Sequence, residues 1–484
     1  MTKTMTAAAR WREPRVDGRA GRMVGALVCA LALAGAAGRA DGVSYQGERE
    51  LGQHFDLAAR QRVPMVDDPE VVGYVSEVGR KIVGSLDDSY FDYQFAVVRD
   101  PRVNAFAVPG GFVYVNSGLL AKVKNEDELA AVLGHEIAHV HAHHVVRQQE
   151  ATQALNYAAL LGTLLSVVQP AAGALASAAS ASVTLQYQRQ FEQEADYLGA
   201  RYLQASGYDP RAMLDFFKQL ADENRIAPSG APPYLQSHPV TDERLNHLEA
   251  VLKTQQWAPR ERRLSSFALQ RAQALARIQS EPPNDVLKVY RRAAEDDPSN
   301  PLAQYLFGVV SLEAGQLESA APALAAARAG GIDAADRELG RLALRQRDAA
   351  KARELLGRYL AGAPNDAAAH VELAKVLEAT GDSTAAMQEY QRALALAPQS
   401  ETAHHGLGLL AGRAGKQGDG FYHLATAARL DGDYGTALNQ YSRAVPLLGV
   451  GDARSDETRQ WIAVLSDYLH VPVPKAPDEE KRDR

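Results

Sequence analysis

The chain has 484 residues, 46% of them hydrophobic and 23% charged, and a formal net charge of −7 at pH 7. That length permits a large core and roughly two to four domains. The acidic balance argues against nucleic-acid binding, and a single cysteine, Cys29, rules out a disulfide framework.

Arg10, Arg12, Arg15, Arg19 and Arg22 precede an apolar stretch from Val24 to Ala37, with small-residue ends at Ala34-Gly35-Ala36 and Gly38-Arg39-Ala40. Residues 1–40 read as a secretory signal peptide with a long basic segment; the alternative is an uncleaved anchor. The apolar run is shorter than the roughly 20 residues a membrane helix needs, which favours cleavage. Cys29 lacks the preceding small residue of a lipoprotein box. Removing the seven basic and two acidic side chains of residues 1–40 takes the charge from −7 to −12.

Helical apolar spacing marks Glu48 to Arg60 and Glu70 to Ser85, the second opened by Asp67-Asp68-Pro69. Tyr93 to Arg99 alternates as a strand. Asn104 to Val108 and Phe112 to Val115 flank Pro109-Gly110-Gly111, a tight hairpin or bend.

The next segment carries the chemistry. Leu129, Val132, Leu133, Ile137 and Val140 recur at helical spacing around His135-Glu136-Ile137-Ala138-His139. Residues four apart share a helix face, so His135 and His139 can grip one metal ion, and Glu136 can take a proton from a metal-bound water. Burying two imidazoles and a carboxylate on an apolar helix is costly unless a metal or partners satisfy them. His141, His143 and His144 follow, and belong on the solvated side or behind the ligands. Residues 151–185 are rich in Ala, Leu, Ser and Val and broken at Gln169-Pro170. They read as a buried helical hairpin over the site, or as a lid that covers the cleft or touches a membrane surface.

Catalytic zinc takes three protein ligands and an open position. The third is sought in Phe191-Glu192-Gln193-Glu194-Ala195-Asp196. Glu192 and Asp196 face one way, and Glu194 points elsewhere. Glu192 is assigned as the ligand, and Asp196 as a residue that orients a histidine or assists with protons.

HEIAH followed by EQEAD resembles the HtpX-type zinc metallopeptidases, and Asn104 to Leu120 is similar to the strand and turn before their zinc helix. The fit extends to their periplasmic branch with C-terminal repeats, the beta-barrel assembly-enhancing proteases. The resemblance implies an α+β zincin-like metallopeptidase domain followed by an all-α tetratricopeptide-repeat solenoid, with one Zn²⁺ per chain. It also implies an edge strand beside the zinc that can pair with an unfolded peptide.

Tyr208-Asp209-Pro210 opens a helix with Met213, Leu214, Phe216, Phe217 and Leu220, and a Pro- and Gly-rich loop then delivers Ser237-His238-Pro239 before a helix from Thr241 to Lys253. The resemblance assigns His238 as a latch that fills the open zinc position; capping a helix or binding substrate are the other roles. Arg244 is a candidate to orient this loop or stabilise an oxyanion.

Trp257 to Arg263 reads as a linker. Beyond it small residues repeat with an offset of about 34: Gly340, Ala352, Leu356, Tyr359 and Pro364, then Ala374, Ala386, Tyr390, Ala393 and Pro398. Gly308, Ala320, Leu324 and Ala327 precede them, after a degenerate unit at Ala274, Tyr290, Ala293 and Pro298. The offset of 51 from Ala386 to Ala437 implies an odd helix inserted near Gly406 to Gly415. The expected division is a signal peptide at 1–40, a peptidase at 41–262, repeats at 263–470 and a disordered tail at 471–484.

The expected function is a periplasmic zinc metalloendopeptidase acting on misfolded or misassembled outer-membrane proteins. The repeats would dock substrate or the barrel-assembly machinery, and a peripheral membrane contact is allowed. The alternative is a repeat-based chaperone or scaffold with a latent zinc site.

Overall fold

The structure is a computed structural model that describes residues 44–152, 189–226, 231–255, 257, 265–449 and 451–474. The expected signal peptide, all but the start of the apolar 151–185 segment, most of the linker and most of the charged tail lie outside those residues. Among the described residues no helix is long and apolar enough to cross a membrane.

The chain folds as a mostly helical assembly with one small sheet. Helix α1 (Tyr45–Arg62) starts at Ser44, whose hydroxyl accepts from the Gly47 N–H. Helix α2 (Pro69–Val83) starts at Asp68, which accepts from the N–H groups of Glu70 and Val71, with proline in the first turn. Its Val71, Val75, Val78 and Ile82 are at most 2% exposed. Burying each contributes roughly 1.5–3 kcal/mol.

Three strands follow: β1 (Gln94–Val98), β2 (Ala105–Val108) and β3 (Phe112–Asn116), in the order β1-β3-β2. β1 runs parallel to β3, and β2 antiparallel to it, with Val108 opposite Phe112. The hairpin turn needs glycine twice. Gly110 and Gly111 have φ of 84° and 96°, and a Cβ on Gly110 would stand 2.7 Å from the Glu48 carbonyl oxygen of α1. Strand β2 is an edge strand, packed against the next long helix.

After α3 (Ser117–Lys122) comes α4 (Glu126–His141), capped by Asn125, which accepts from the Glu128 N–H. Residues 127–140 of α4 are all buried, so the helix is enclosed on every side. Then come α5 (His144–Thr152), α6 (Arg189–Ser206), α7 (Arg211–Ile226), α8 (Pro233–Ser237) and α9 (Asp242–Thr254). Helices α4 and α6 cross at Gly134 and Gly199. A Cβ on Gly199 would lie 2.9 Å from Met213 Cε and 3.2 Å from the Gly134 backbone. These two glycines set how closely the acidic face of α6 approaches the histidines of α4.

The remaining helices are α10 (Phe267–Ser280), α11 (Pro283–Asp296), α12 (Pro301–Glu313), α13 (Leu317–Ala329), α14 (Ala335–Arg345), α15 (Ala349–Gly362), α16 (Ala367–Ala379), α17 (Ser383–Leu396), α18 (Glu401–Arg413), α19 (Gln417–Leu430), α20 (Tyr434–Ala444) and α21 (Ala453–Leu469). A glycine on the first helix of a pair receives a leucine of the second: Gly308 with Leu324, Gly340 with Leu356, Gly408 with Leu424. This corrects the expected odd helix near Gly406 to Gly415. Helices α18 and α19 are an ordinary pair, with Gly408 and Gly420 standing where Ala374 and Ala386 stand one unit earlier. Ala437 lies on α20, the helix after them. The alanine pattern skipped a unit because glycine fills the same close crossing.

The repeats touch the first unit at both ends and in between, where Gln399 donates to the Gln94 side chain of β1 at 3.3 Å. Near the start, Arg271 of α10 and Arg337 of α14 both bind Glu70 of α2, and Arg337 also reaches Asp366 at 2.7 Å. At the far end Tyr434 donates to the Leu57 carbonyl of α1 at 2.8 Å, inside an apolar cluster with Tyr422, Tyr441 and Leu465.

Candidate metal centre

Four side chains from three parts of the fold converge. His135 and His139 come from α4, Glu192 from the first turn of α6, and His238 from the residue after α8. One potential ligand atom of each lies within 4.8 Å of all the others. His135 Nε2 is 3.0 Å from His139 Nε2 and 3.3 Å from His238 Nδ1. Glu192 stands 3.0 Å from His238 Nδ1 and 3.5 Å from each of the other two imidazoles. An ion held tetrahedrally at about 2.0–2.1 Å spaces its donors about 3.3–3.4 Å apart, so the residues fit such an ion.

The electrostatics agree with that fit. All four side chains are at most 4% exposed. Three ring nitrogens and a carboxylate oxygen face one another, an arrangement that hydrogen bonds alone satisfy poorly. Burial drives the His139 imidazole well below its ordinary pKa, aided by the neighbouring imidazoles, and a neutral imidazole is the form that ligates.

Glu136 sits beside this group, fully buried, with no hydrogen bond to either carboxylate oxygen. His238 Nε2 is 3.5 Å away. Burial pushes its carboxyl up to about 7, against the opposing pull of His238. A base poised near neutrality is suited to shuttle a proton.

Arg244 of α9 holds the acidic face together. It donates to both Asp196 oxygens at 2.7 Å and lies 2.6 Å from Glu192. Its guanidinium also covers the Phe217 ring at 4.7 Å. Burial pushes the Glu192 and Asp196 carboxyls up, yet the Arg244 charge and the facing histidines outweigh it and keep both below the usual range. Asp196 in turn faces His135 Nδ1 at 3.0 Å, behind the nitrogen that points into the group.

All seven residues singled out in the sequence therefore meet in one place. His238 also caps α8, its N–H donating to the Tyr234 carbonyl, while its ring enters the donor group. Arg244 is engaged by two carboxylates at 4% exposure, which leaves it no free edge toward an oxyanion. Of the two places left open for His144, the structure takes the one behind the ligands: it is fully buried with Nδ1 2.8 Å from His139 Nδ1. Glu194, read as pointing elsewhere, does leave the ligand face of α6 and lies 3.2 Å from His144 Nε2. Spacing gives no hint of that contact, because the chain turns sharply at His143, between α4 and His144. The other two histidines of the run bind Tyr202 and Glu48.

Among the described residues, the space beside His139, between α4 and β2, is about 10 Å³, room for one water and not for a peptide.

Residues 69–252 match the model of peptidase family M48, and residues 270–335 and 337–401 match the tetratricopeptide repeat. The beta-barrel assembly-enhancing protease of Escherichia coli (strain K12) is 34% identical over 211 residues, 42% of this chain and 43% of the relative. That of Yersinia pestis is 35% identical over 212 residues, with coverage of 42% and 43%. The mitochondrial metalloendopeptidase OMA1 of Schizosaccharomyces pombe is 32% identical over 187 residues, 37% of this chain and 52% of the relative. The chain spans about half the length of the curated relatives it matches. Among solved structures, the type IV pilus biogenesis factor PilW aligns at 17% identity and a TM-score of 0.32, covering 43% of this chain and 94% of that one.

Proposed function

We propose, from the match of residues 69–252 to the model of peptidase family M48 with tetratricopeptide repeats behind them, that the chain is a zinc metalloendopeptidase that cleaves misfolded or misassembled outer-membrane proteins in the periplasm. The observation that carries this reading is the convergence of His135, His139, Glu192 and His238 beside the fully buried carboxylate of Glu136. Basic Arg10 to Arg22 followed by apolar Val24 to Ala37 supports export.

His135, His139 and Glu192 would hold the ion, which would supply Lewis acidity toward the water and the scissile carbonyl. Glu136 is placed to take a proton from the attacking water at its carboxylate and return it to the leaving amine. Asp196 keeps the His135 proton on Nδ1, so that Nε2 presents a lone pair to the site. Arg244 neutralises the two carboxylates of α6 and fixes their rotamers. Strand β2, at the sheet edge beside α4, offers backbone groups to an extended peptide.

His238 occupies the position that water and substrate need. It acts as a latch: its ring must withdraw with the loop before α9 for the enzyme to turn over. The repeats serve for docking. Between α15, α16 and α17 lies a space of about 560 Å³ bordered by Leu360, Leu373, Leu396, His370, Glu389 and Arg392, apolar and charged groups that suit an unfolded polypeptide.

The test is casein cleavage by the full-length protein beside His238→Ala. The reading expects one zinc per chain in both and faster cleavage by the variant. Zinc without cleavage in either favours the second reading, a repeat-based chaperone or scaffold, which the closed site supports. A folded sample that takes up no zinc sinks the metal assignment.

A further inference from the structure

The two histidines of α4 are supported differently. His135 is backed by a carboxylate, Asp196, itself clamped by Arg244. Behind His139 stands an imidazole, that of His144.

The chain makes that contact through a strained turn. Helix α4 ends at His141, His143 adopts φ 54°, and α5 starts at once with His144. A left-handed conformation at a residue other than glycine is strained and persists only where the surroundings hold it. Here Glu48 of α1 holds the His143 ring at 2.7 Å. The turn swings His144 behind His139, where its ring is fully buried and stacks on Phe191 at 4.6 Å and 19°.

The proton positions follow from the lone pairs. His139 Nε2 faces the donor group, 3.0 Å from His135 Nε2, so its proton belongs on Nδ1. His144 Nδ1 is 2.8 Å from that nitrogen and accepts it. The His144 proton then sits on Nε2, 3.2 Å from Glu194. Arg147 closes the chain with Nη1 at 3.2 and 3.0 Å from the two Glu194 oxygens, its guanidinium over Phe191 at 4.9 Å.

We propose that His144, Glu194 and Arg147 form a positioning relay that fixes the tautomer and rotamer of His139 as a metal ligand, the counterpart of the Asp196–Arg244 pair behind His135. The relay rests on the zinc reading above. Both supports anchor on α6, so one helix contributes a ligand, Glu192, and a carboxylate to the support behind each histidine ligand: Asp196 directly and Glu194 through His144. This also accounts for Glu194 lying between Glu192 and Asp196 on another face of the helix. The relay runs to the surface, where Glu194 and Arg147 are 38% and 45% exposed, while Asp196 and Arg244 stay buried.

The experiment is zinc affinity, measured on the full-length protein by competition with a chromophoric chelator. His144→Phe keeps a ring against Phe191 and removes the acceptor. His144→Asn places an amide oxygen near the former Nδ1. Loss of an outer partner typically weakens metal binding by roughly 10–100-fold. The relay predicts a loss of that size in His144→Phe and near wild-type affinity in His144→Asn, both with wild-type circular dichroism. If His144→Phe does not fold, Glu194→Leu at the solvent margin takes its place, with a several-fold loss expected. Wild-type affinity in His144→Phe or Glu194→Leu, or an equal loss in Asn and Phe variants, overturns the relay while leaving the zinc site standing. Wild-type protein without zinc overturns both.

Discussion

Two of the buried clusters of charged and titratable groups are built on opposite rules. Where the repeats meet α2, Arg271, Arg337 and Arg341 interleave with Glu70, Glu338 and Asp366, so that cations alternate with carboxylates. Between α4 and α6, His135, His139, His238 and Glu192 turn lone pairs toward one another, and the nearest guanidinium, Arg244, stands at their back. The first cluster satisfies itself. The second gathers acceptors that only a cation at their centre would satisfy, and that imbalance is what separates a ligand site from a structural ion network.

The largest effect is expected where the chemistry is. Glu136→Gln should keep its zinc and lose roughly 10²–10⁴-fold in peptide cleavage, measured in the His238→Ala background. Retained cleavage removes Glu136 from the mechanism. Arg337→Met breaks the balanced cluster by removing the one cation that Glu70, Glu338 and Asp366 share. It should cost roughly 3–5 kcal/mol in denaturant unfolding and leave zinc content unchanged; an equal fall in zinc content would couple the two clusters. Chelating the ion should do the reverse. It should lower the melting temperature and spare the contacts of Arg337, and its size follows ligand concentration over Kd.

Glu136 sets a pH test with a definite sign. In the metal-free protein its carboxyl is raised from 4.5 to about 7 by burial, so the protonated form is the stable one. Its contribution is fully present below about pH 4.5 and lost as pH rises through about 7. The melting temperature of metal-free wild type should therefore fall, relative to Glu136→Gln, across that window. No divergence between the two would place Glu136 in a wetter setting. The smallest effect belongs to Tyr434→Phe, which removes one hydrogen bond to Leu57 and should cost roughly 1 kcal/mol, read by denaturant unfolding.

The contrast also marks what could be read from the sequence. The ligand helix was legible because its apolar spacing and the His-Glu-x-x-His spacing share one period. Glu192 and Asp196 were legible for the same reason, one turn apart on α6. The contacts behind His139 were not fixed by that spacing. His144 reaches His139 only because His143 takes a left-handed turn, and helical periodicity carries no signal across such a break. Arg244 was visible as a charge near His238, but its two carboxylate partners lie 52 and 48 positions away. In the repeats, the close crossings at Gly308 and Gly340 were read correctly. Those at Gly408 and Gly420 were missed because glycine and alanine serve the same steric purpose. The parallel pairing of β1 with β3 was likewise invisible in strands of four and five residues.

Zinc-edge X-ray absorption of the full-length protein tests the unbalanced cluster most directly. Four nitrogen or oxygen donors at about 2.0–2.1 Å, three of them imidazoles, with one imidazole lost in His238→Ala, is the result expected. A six-coordinate ion, two imidazoles in the wild type, or no change in His238→Ala would contradict a site closed by His238.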